Sequence, residues 1–258
     1  MKVVIFAGGL GTRISEETDT RPKPMVEIGG KPILWHIMKI YSSYGFNEFI
    51  ICLGYKGYVI KEYFMNYFLH NADLTIDLQN NDVQFHNSNS EKFKVTLVDT
   101  GLETKTAGRL KAVQKYLGNE DFMLTYGDGV CSVNLGELLA FHKAHGKIAT
   151  VTAIQMDARF GGMEVGDSGE VVSFKEKSKD DGKWINGGYF VLKPEVFNYL
   201  EGNMSDMMWE DEPLEKLTHD DQLVAYQHEG FWKCMDALRD KIELEHLWQS
   251  GQAKWKQW

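Results

Sequence analysis

The sequence has few cysteines and no excess of basic residues. Its three cysteines, Cys52, Cys131 and Cys234, are widely spaced, so the sequence indicates reduced thiols and neither a disulfide framework nor a zinc knuckle. The 28 basic residues are outnumbered by 37 acidic residues, which gives a net charge of −9. That charge argues against a nucleic-acid-binding surface, and we expect no nucleic-acid partner.

Long hydrophobic runs are also absent. No run approaches the roughly 18 apolar residues of a membrane-spanning helix, and Val3–Ala7 is too short for a signal peptide. A cytoplasmic protein with no membrane partner is therefore expected. A chain of 258 residues that is 43% hydrophobic and 25% charged has an ordinary globular composition, which excludes disorder for most of its length.

The negative charge is concentrated in residues 201–221. This segment holds eight acidic residues against Lys216 and accounts for −7 of the net charge of −9. The remainder of the chain is therefore almost neutral and can hold local cationic pockets.

The first 70 residues alternate between apolar runs and helical patterns. Lys2–Phe6 and Glu48–Leu53 are typical of buried strands, while a helix is predicted to begin at Pro32 and another to span Tyr58–Phe68. Residues 7–31 contain much glycine and proline and are predicted to be mostly loop. This order of strand, helix, strand and helix predicts an α/β fold with a parallel sheet covered by helices on both faces.

The later pattern predicts short strands and further helices. Helices are predicted at Arg109–Leu117, from a cap at Asn134 to His145, and at Leu238–Gln249. No linker divides the chain, so we expect one domain over residues 1–258, with a β-rich second half. Three tryptophans, Trp248, Trp255 and Trp258, predict a C-terminal tail that docks on the body of the protein or on another subunit.

A glycine-rich segment follows the first predicted strand. Gly8-Gly9-Leu10-Gly11-Thr12-Arg13 can present backbone N–H groups and a guanidinium to phosphate, although the glycines alone also fit a simple turn. Ile14 breaks the dinucleotide-binding pattern, and Arg13 breaks the P-loop pattern. Lys23 lies between two prolines that restrict its backbone, which suits it to phosphate binding, while an exposed loop lysine is the alternative interpretation.

Two acidic residues are candidate metal ligands. Asp128 follows a predicted buried strand, at the sheet edge where α/β proteins bind ligands, and Asp236 precedes the last predicted helix. Each also has a simpler interpretation, an Asp-Gly turn for Asp128 and a helix N-cap for Asp236. Asp128 with Asp236 as a second carboxylate is a candidate site for Mg²⁺, and the N-cap interpretation is the simpler one for Asp236 alone.

A third group of polar residues lies in the second half. Glu176, Lys177 and Asn186 can bind sugar hydroxyls and a phosphate, but in isolation a solvated charge run and a glycine bulge explain them as well.

Taken together, these segments resemble the sugar-1-phosphate nucleotidyltransferases over essentially the whole chain, and within them the cytidylyl branch. The segments that carry the resemblance are FAGGLGTRISEET, RPKPMVEIGGKPILWHIMK, GYKGYVIKEYF, VTLVDTG, TYGDG, FHKAHGK, RFGGMEV, INGGYFVL and WKCMDALRDK. The resemblance implies a Rossmann-like, mostly parallel sheet with a smaller β-rich sugar-binding part. It implies a nucleotide-binding part of roughly residues 1–130 and a part of roughly residues 131–258 for sugar phosphate and assembly.

The resemblance also implies roles for individual residues. Asp128 and Asp236 would hold Mg²⁺, and Arg13, Lys23 and Asp128 would act in catalysis. Glu176, Lys177 and Asn186 would bind the sugar phosphate. The nucleotide would be bound by Phe6, Ala7, Gly8, Gly9, Leu10, Gly11, Thr12, Arg13, Lys23, Thr104, Arg109 and Gly127.

The implied reaction converts CTP and glucose 1-phosphate to CDP-glucose and pyrophosphate, on the way to dideoxyhexoses of cell-surface polysaccharide such as the O-antigen of lipopolysaccharide, in a homohexamer. A sugar phosphate is largely a dianion at neutral pH, because its second pKa is about 6, so it can attack the α-phosphorus in line without a general base. Ser178 replaces the usual proline, and Ala107 replaces a usual glycine. A thymidylyl- or uridylyltransferase and a non-catalytic nucleotide-binding homologue remain alternatives.

Overall fold

A computed structural model describes residues 1–87, 90–155, 162–165, 171–175 and 184–258. The strands are β1 (Lys2–Ala7), β2 (Glu27–Ile28), β3 (Lys31–Pro32), β4 (Glu48–Leu53), β5 (Asp73–Asp77), β6 (Asp82–His86), β7 (Lys94–Asp99), β8 (Phe122–Tyr126), β9 (Gly129–Cys131), β10 (Ala149–Gln155), β11 (Gly162–Val165), β12 (Val171–Lys175), β13 (Trp184–Leu192), β14 (Leu223–His228) and β15 (Trp232–Cys234).

The helices cover both halves of the chain. The α-helices are α1 (Ser15–Thr18), α2 (Ile33–Ser43), α3 (Gly57–Met65), α4 (Tyr67–Asn71), α5 (Thr106–Leu117), α6 (Leu135–His145), α7 (Glu212–His219) and α8 (Leu238–Gln249). Short 3₁₀ helices span Thr12–Ile14, Lys23–Met25 and Pro194–Tyr199.

The central sheet has seven strands in the order β14-β10-β13-β8-β1-β4-β7. Strand β1 is parallel to β4 and β8, β4 is parallel to β7, and β10 is parallel to β14. Strand β13 is antiparallel to both of its neighbours. The predicted α/β fold with a mostly parallel sheet is thus confirmed, and the sheet takes strands from both parts of the chain that were distinguished in the sequence.

Helices cover both faces of the sheet because apolar residues of its central strands point in both directions. Val3 and Ile5 of β1 pack in one core with the buried residues of α2. Val4 and Phe6 pack in the opposite core with the buried residues of α5. Burial on both faces explains why β1 and β4 are continuous apolar runs in the sequence.

Predicted and observed elements differ mainly at helix boundaries. Strand β4 and helix α8 have the predicted bounds. The helix predicted at Tyr58–Phe68 is divided into α3 and α4, because the backbone of Asn66 leaves the helical region (φ −98°, ψ 13°). The predicted loop 7–31 contains α1, two 3₁₀ helices, strand β2 and the first residue of β3.

The C-terminal tail packs on the body of the protein, as its tryptophans predict. Trp255 is buried, and Trp248 and Trp258 pack beside it around the imidazole of His36. The His36 ring is fully buried, with Nε2 lying 2.8 Å from the carbonyl oxygen of Ile28. Burial lowers the pKa of His36 to about 4, so the ring is neutral at pH 7.

The β5–β6 hairpin has a different character from the central sheet. Among the described strands, β5 and β6 pair only with each other, and they carry exposed apolar side chains. The large ones are Ile76, Val83 and Phe85, with Leu78 directly after β5. Within the described ranges, no helix is both long and apolar enough to cross a membrane. The three cysteines are free.

Candidate functional site

A cavity of about 510 Å³ lies at the carboxyl ends of β1 and β8. This edge is where open α/β sheets bind ligands. The cavity brings together all the residues that the sequence predicts for the nucleotide and the metal. They are Phe6 to Arg13, Lys23, Thr104, Arg109, Gly127, Asp128 and Asp236.

The glycines of the loop serve the protein's own packing as well as access to the cavity. Gly11 has a φ of 66°, in the left-handed region that favours glycine. A Cβ atom at Gly8 would lie 2.2 Å from Nη1 of Arg109, and one at Gly127 would lie 2.7 Å from the carbonyl oxygen of Phe6. Gly8 is therefore required by the position of Arg109, which spacing in the sequence does not reveal.

Arg109 holds together three segments of the cavity wall. Its Nη1 donates to Thr100 Oγ1 at 2.7 Å and to the carbonyl oxygens of Leu53 and Gly101, each at 2.9 Å. Its Nη2 donates to the carbonyl oxygens of Gly8 at 3.0 Å and Leu102 at 3.2 Å. The side chain thereby connects the ends of β1 and β4 to the segment after β7.

The sequence resemblance implies that Arg109 binds the nucleotide, and the structure adds protein partners for its side chain. Arg109 is buried, 4% exposed, and its terminal N–H groups donate to protein acceptors. Burial lowers the pKa of Arg109 from its very high ordinary value. Its contact with a nucleotide stays a prediction.

Lys23 lies between the two predicted metal ligands. Its Nζ is 2.6 Å from Asp128 Oδ2 and 2.6 Å from Asp236 Oδ1. Arg13 adds a second cation, with Nη1 3.0 Å from Asp236 Oδ2. The structure thus brings Arg13, Lys23, Asp128 and Asp236 into one network, in which the cations expected to bind phosphate are paired with the carboxylates expected to bind metal.

Both members of the central ion pair are held in their charged forms. Burial lowers the pKa of Lys23, but the charge and hydrogen bonds of Asp128 and Asp236 outweigh it, and the pKa is raised. Burial raises the pKa of Asp236, but the Lys23 ammonium and Arg13 outweigh it, and the pKa is lowered. Lys23 and Asp236 are therefore both charged throughout the neutral pH range.

A short antiparallel pairing brings the two carboxylates together. Strand β9 pairs with β15, and the N–H of Met235 donates to the carbonyl oxygen of Asp128 at 2.8 Å. The N-cap interpretation of Asp236 is wrong, because Asp240 accepts the N–H groups of Asp236 and Ala237 at the start of α8. The Asp236 side chain is thereby left for the cavity.

The acidic cluster is suited to a divalent cation. Ligand atoms of Asp128, Cys234 and Asp236 lie within 4.8 Å of one another, and the two carboxylates already surround the positive charge of Lys23. Carboxylate oxygens are the ligands that hard divalent cations prefer. Burial raises the pKa of the Cys234 thiol, which leaves the carboxylates as the charged donors.

The predicted sugar-phosphate residues are only partly described. Glu176 and Lys177, like Ser178, lie outside the described residues. Asn186 lies on β13, with Nδ2 3.5 Å from Tyr126 Oη and Oδ1 accepting the N–H of Gly188 at 2.8 Å. Strand β13 lies next to β8, and Asp128 follows the end of β8. This position fits a sugar-phosphate subsite beside the metal ligands, and the role of Asn186 there stays a prediction.

Among the cavity residues without a predicted role, two are hydrogen-bonded to each other. Tyr126 and Glu210 both line the cavity, and the Tyr126 hydroxyl donates to Glu210. Tyr126 precedes the Gly127-Asp128 turn, so its position could have been noticed. Glu210 belongs to the acidic segment 201–221, where eight acidic residues conceal the one that faces the site.

Several relatives of this chain are named as enzymes that act on nucleotides and sugar phosphates. The chain is 54% identical over 259 residues to the glucose-1-phosphate cytidylyltransferases of Salmonella typhi and Salmonella typhimurium, with 100% of each chain covered. The structure of UDP-glucose pyrophosphorylase complexed with UDP-glucose superposes with a TM-score of 0.68 at 19% identity, covering 97% of this chain and 98% of that chain, which shows the fold. The nucleotidyl transferase family model matches residues 2–240. The chain therefore belongs to the nucleotidyl transferase family.

Proposed function

We propose that this protein transfers a cytidylyl group from CTP to α-D-glucose 1-phosphate, giving CDP-glucose and pyrophosphate. The observation that carries the proposal is the 54% identity, over the full length of both chains, to glucose-1-phosphate cytidylyltransferases. The cavity supports it, because cations and carboxylates converge where two polyanionic substrates have to meet.

The chain supplies positioning and charge for an in-line displacement. Most of the sugar phosphate is a dianion at neutral pH, so no side chain has to remove a proton before it attacks the α-phosphorus. Lys23 and Arg13 neutralise the triphosphate, and their charge is already concentrated beside the carboxylates. Asp128 and Asp236 would hold Mg²⁺, which when bound supplies further charge stabilisation to the leaving pyrophosphate.

Arg109 shapes the nucleotide end of the cavity. The glycine loop and Thr104 line the same wall, and Arg109 fixes the loop through the Gly8 carbonyl oxygen. We assign the cytosine to this end and Glu176, Lys177 and Asn186 to glucose 1-phosphate. Arg109 then contributes to base selectivity through the loop conformation that it fixes.

The surroundings of the reaction are part of the proposal. The exposed apolar hairpin β5–β6 supports assembly into a homo-oligomer, with a hexamer as the form implied by the sequence resemblance, because a two-stranded hairpin alone is marginally stable in water. We place the enzyme in the cytoplasm, where its product would supply dideoxyhexose synthesis for lipopolysaccharide O-antigen.

One assay tests the reaction. Mixing the protein with CTP, glucose 1-phosphate and Mg²⁺ should release pyrophosphate and form CDP-glucose, with UTP and dTTP giving lower kcat/KM. Higher kcat/KM with dTTP or UTP would identify a thymidylyl- or uridylyltransferase. Nucleotide binding without pyrophosphate release from any of the four nucleotides would identify a non-catalytic homologue.

A further inference from the structure

A hydrogen-bonded group of side chains lies beside the metal-ligand network in the cavity wall. One carboxylate oxygen of Glu210 accepts the Tyr126 hydroxyl, and the other accepts the Thr106 hydroxyl at 2.7 Å. The backbone N–H of Trp209 donates to Thr106 Oγ1 at 2.7 Å, so the hydroxyl proton of Thr106 is left for Glu210. Three separate elements, β8, α5 and the segment before α7, thereby fix one carboxylate.

The protons of this group point toward Glu210, so its remaining capacity is that of an acceptor. Among the residues that the structure describes, Glu210 makes no salt bridge. A carboxylate offers about four lone-pair sites, of which two are used here. A carboxylate left with free acceptor capacity beside a site for polyanions is suited to a neutral hydroxyl donor.

The hydrogen bonds of Tyr126 connect Glu210 to the strand that carries Asn186. Tyr126 ends β8, which lies between β1 and β13 in the sheet, and Asn186 Nδ2 on β13 is 3.5 Å from Tyr126 Oη. Tyr126 also lies two residues before Asp128. We propose that Glu210 is a specificity residue that accepts a hydrogen bond from a hydroxyl group of the hexose in glucose 1-phosphate. This inference rests on the proposed function.

The experiment compares substrates that lack single hydroxyl groups. The kcat/KM is measured for glucose 1-phosphate and for its 2-, 3-, 4- and 6-deoxy analogues, in wild type and in Glu210→Gln. In wild type, the analogue that lacks the bound hydroxyl should be roughly tenfold to a hundredfold poorer than glucose 1-phosphate, the usual range for a hydrogen bond to a charged group. In Glu210→Gln that penalty should shrink to about threefold or less, while the KM for CTP should stay within about twofold.

Glu212→Gln is the matched control, because it removes an exposed carboxylate two residues away that pairs with Lys216 in α7. It should leave every penalty unchanged. If Glu210→Gln loses its native circular dichroism, Glu210→Asp keeps the charge for Tyr126 and Thr106, withdraws the carboxylate by one methylene, and should reduce the same penalty.

If the penalty for each of the four deoxy analogues is the same in wild type and in the folded Glu210 variant, the inference is overturned. The same comparison is made with 2′- and 3′-deoxy-CTP. If the penalty that disappears belongs to one of these, the inference is wrong, because Glu210 would then bind the ribose. Absence of CDP-glucose from the wild-type reaction would remove the proposed function and this inference together. Normal wild-type turnover with unchanged penalties would remove the inference alone.

Discussion

The two ends of the cavity use positive charge in different ways. At the nucleotide end, Arg109 is buried and donates to neutral acceptors, four of them backbone carbonyl oxygens. At the phosphate end, Lys23 and Arg13 pair with Asp128 and Asp236, and the Arg13 side chain is 77% exposed. Arg109 is part of the cavity wall, whereas Lys23 and Arg13 can exchange their carboxylate partners for the phosphates of a ligand.

The difference follows from the cost of leaving each partner unpaired. Moving Arg109 would break five hydrogen bonds at once, and no ligand could replace all of them. Moving Lys23 costs less when phosphate accepts its ammonium and a divalent cation neutralises the carboxylates. We therefore expect the nucleotide end, around Arg109, to be rigid, and the ion pairs of Lys23 at the phosphate end to exchange when ligands bind.

The largest effect is expected from Asp128→Asn at the phosphate end. Loss of one of the two carboxylates should lower kcat by about a thousandfold, or roughly 4 kcal/mol, because the divalent cation would lose a charged ligand. The melting temperature should change little, since Lys23 keeps Asp236 as a partner. Asp220→Asn, on the exposed end of α7, is the control. Near-normal turnover of Asp128→Asn at ordinary Mg²⁺ concentrations would disprove the metal assignment.

The next effect concerns the wall at the nucleotide end. Arg109→Ala should lower the free energy of unfolding by about 3 kcal/mol, because five hydrogen bonds from one buried side chain to the cavity wall are lost. Thermal denaturation should show this loss, and Lys115→Ala on the exposed face of α5 should not. An unchanged melting temperature combined with a lost preference for CTP over UTP would contradict the structural role and support direct reading of the base.

Lys23→Met tests whether the phosphate end exchanges charges. Its affinity for CTP should fall by roughly tenfold to a hundredfold, because a charge-assisted contact is lost. Its affinity for Mn²⁺ without nucleotide should rise, since the ammonium no longer occupies the position between Asp128 and Asp236. Electron paramagnetic resonance of free Mn²⁺ measures this, with Lys94→Met as the control. Weaker Mn²⁺ binding in the variant would refute the exchange.

The smallest expected effect is the pH dependence of stability, which His36 and the Lys23–Asp236 pair should affect differently. The pKa of His36 is lowered to about 4 by burial, so the unfolded chain binds its proton more readily than the native protein does. Stability from His36 is present above pH 6.5 and is lost as the pH falls toward 4, by about 2 kcal/mol between pH 7 and pH 5. His142, with its pKa also lowered to about 4, adds in the same direction.

His36→Gln should reduce this pH dependence, as measured by denaturant unfolding at several pH values. The Lys23–Asp236 pair should contribute nothing between pH 5 and pH 8, because the pKa of Lys23 is raised and that of Asp236 is lowered. An unchanged pH dependence in His36→Gln would show that other groups control acid stability.

The cavity was more predictable from sequence than the contacts inside it. The glycine loop and the Gly-Asp-Gly turn follow β1 and β8, and parallel neighbours place both at one edge of the sheet. Lys23 was expected to bind phosphate and Arg109 to bind the nucleotide, and the structure gives each of them protein partners. Local patterns identify which residues can bind charge, but the partner that satisfies each of them depends on the fold.

By itself, the sequence determined the elements whose causes are local. Apolar runs give β1 and β4, the Asn134 side chain caps α6, and the tryptophan-rich tail docks on the core. Only the tertiary structure decided the pairings that define the site. The residues of the Arg109–Gly8, Lys23–Asp236 and Tyr126–Glu210 hydrogen bonds are 101, 213 and 84 positions apart. Such partners are selected by the closing of the sheet and the β9–β15 pairing, because a buried charge takes whichever acceptor the fold brings within reach.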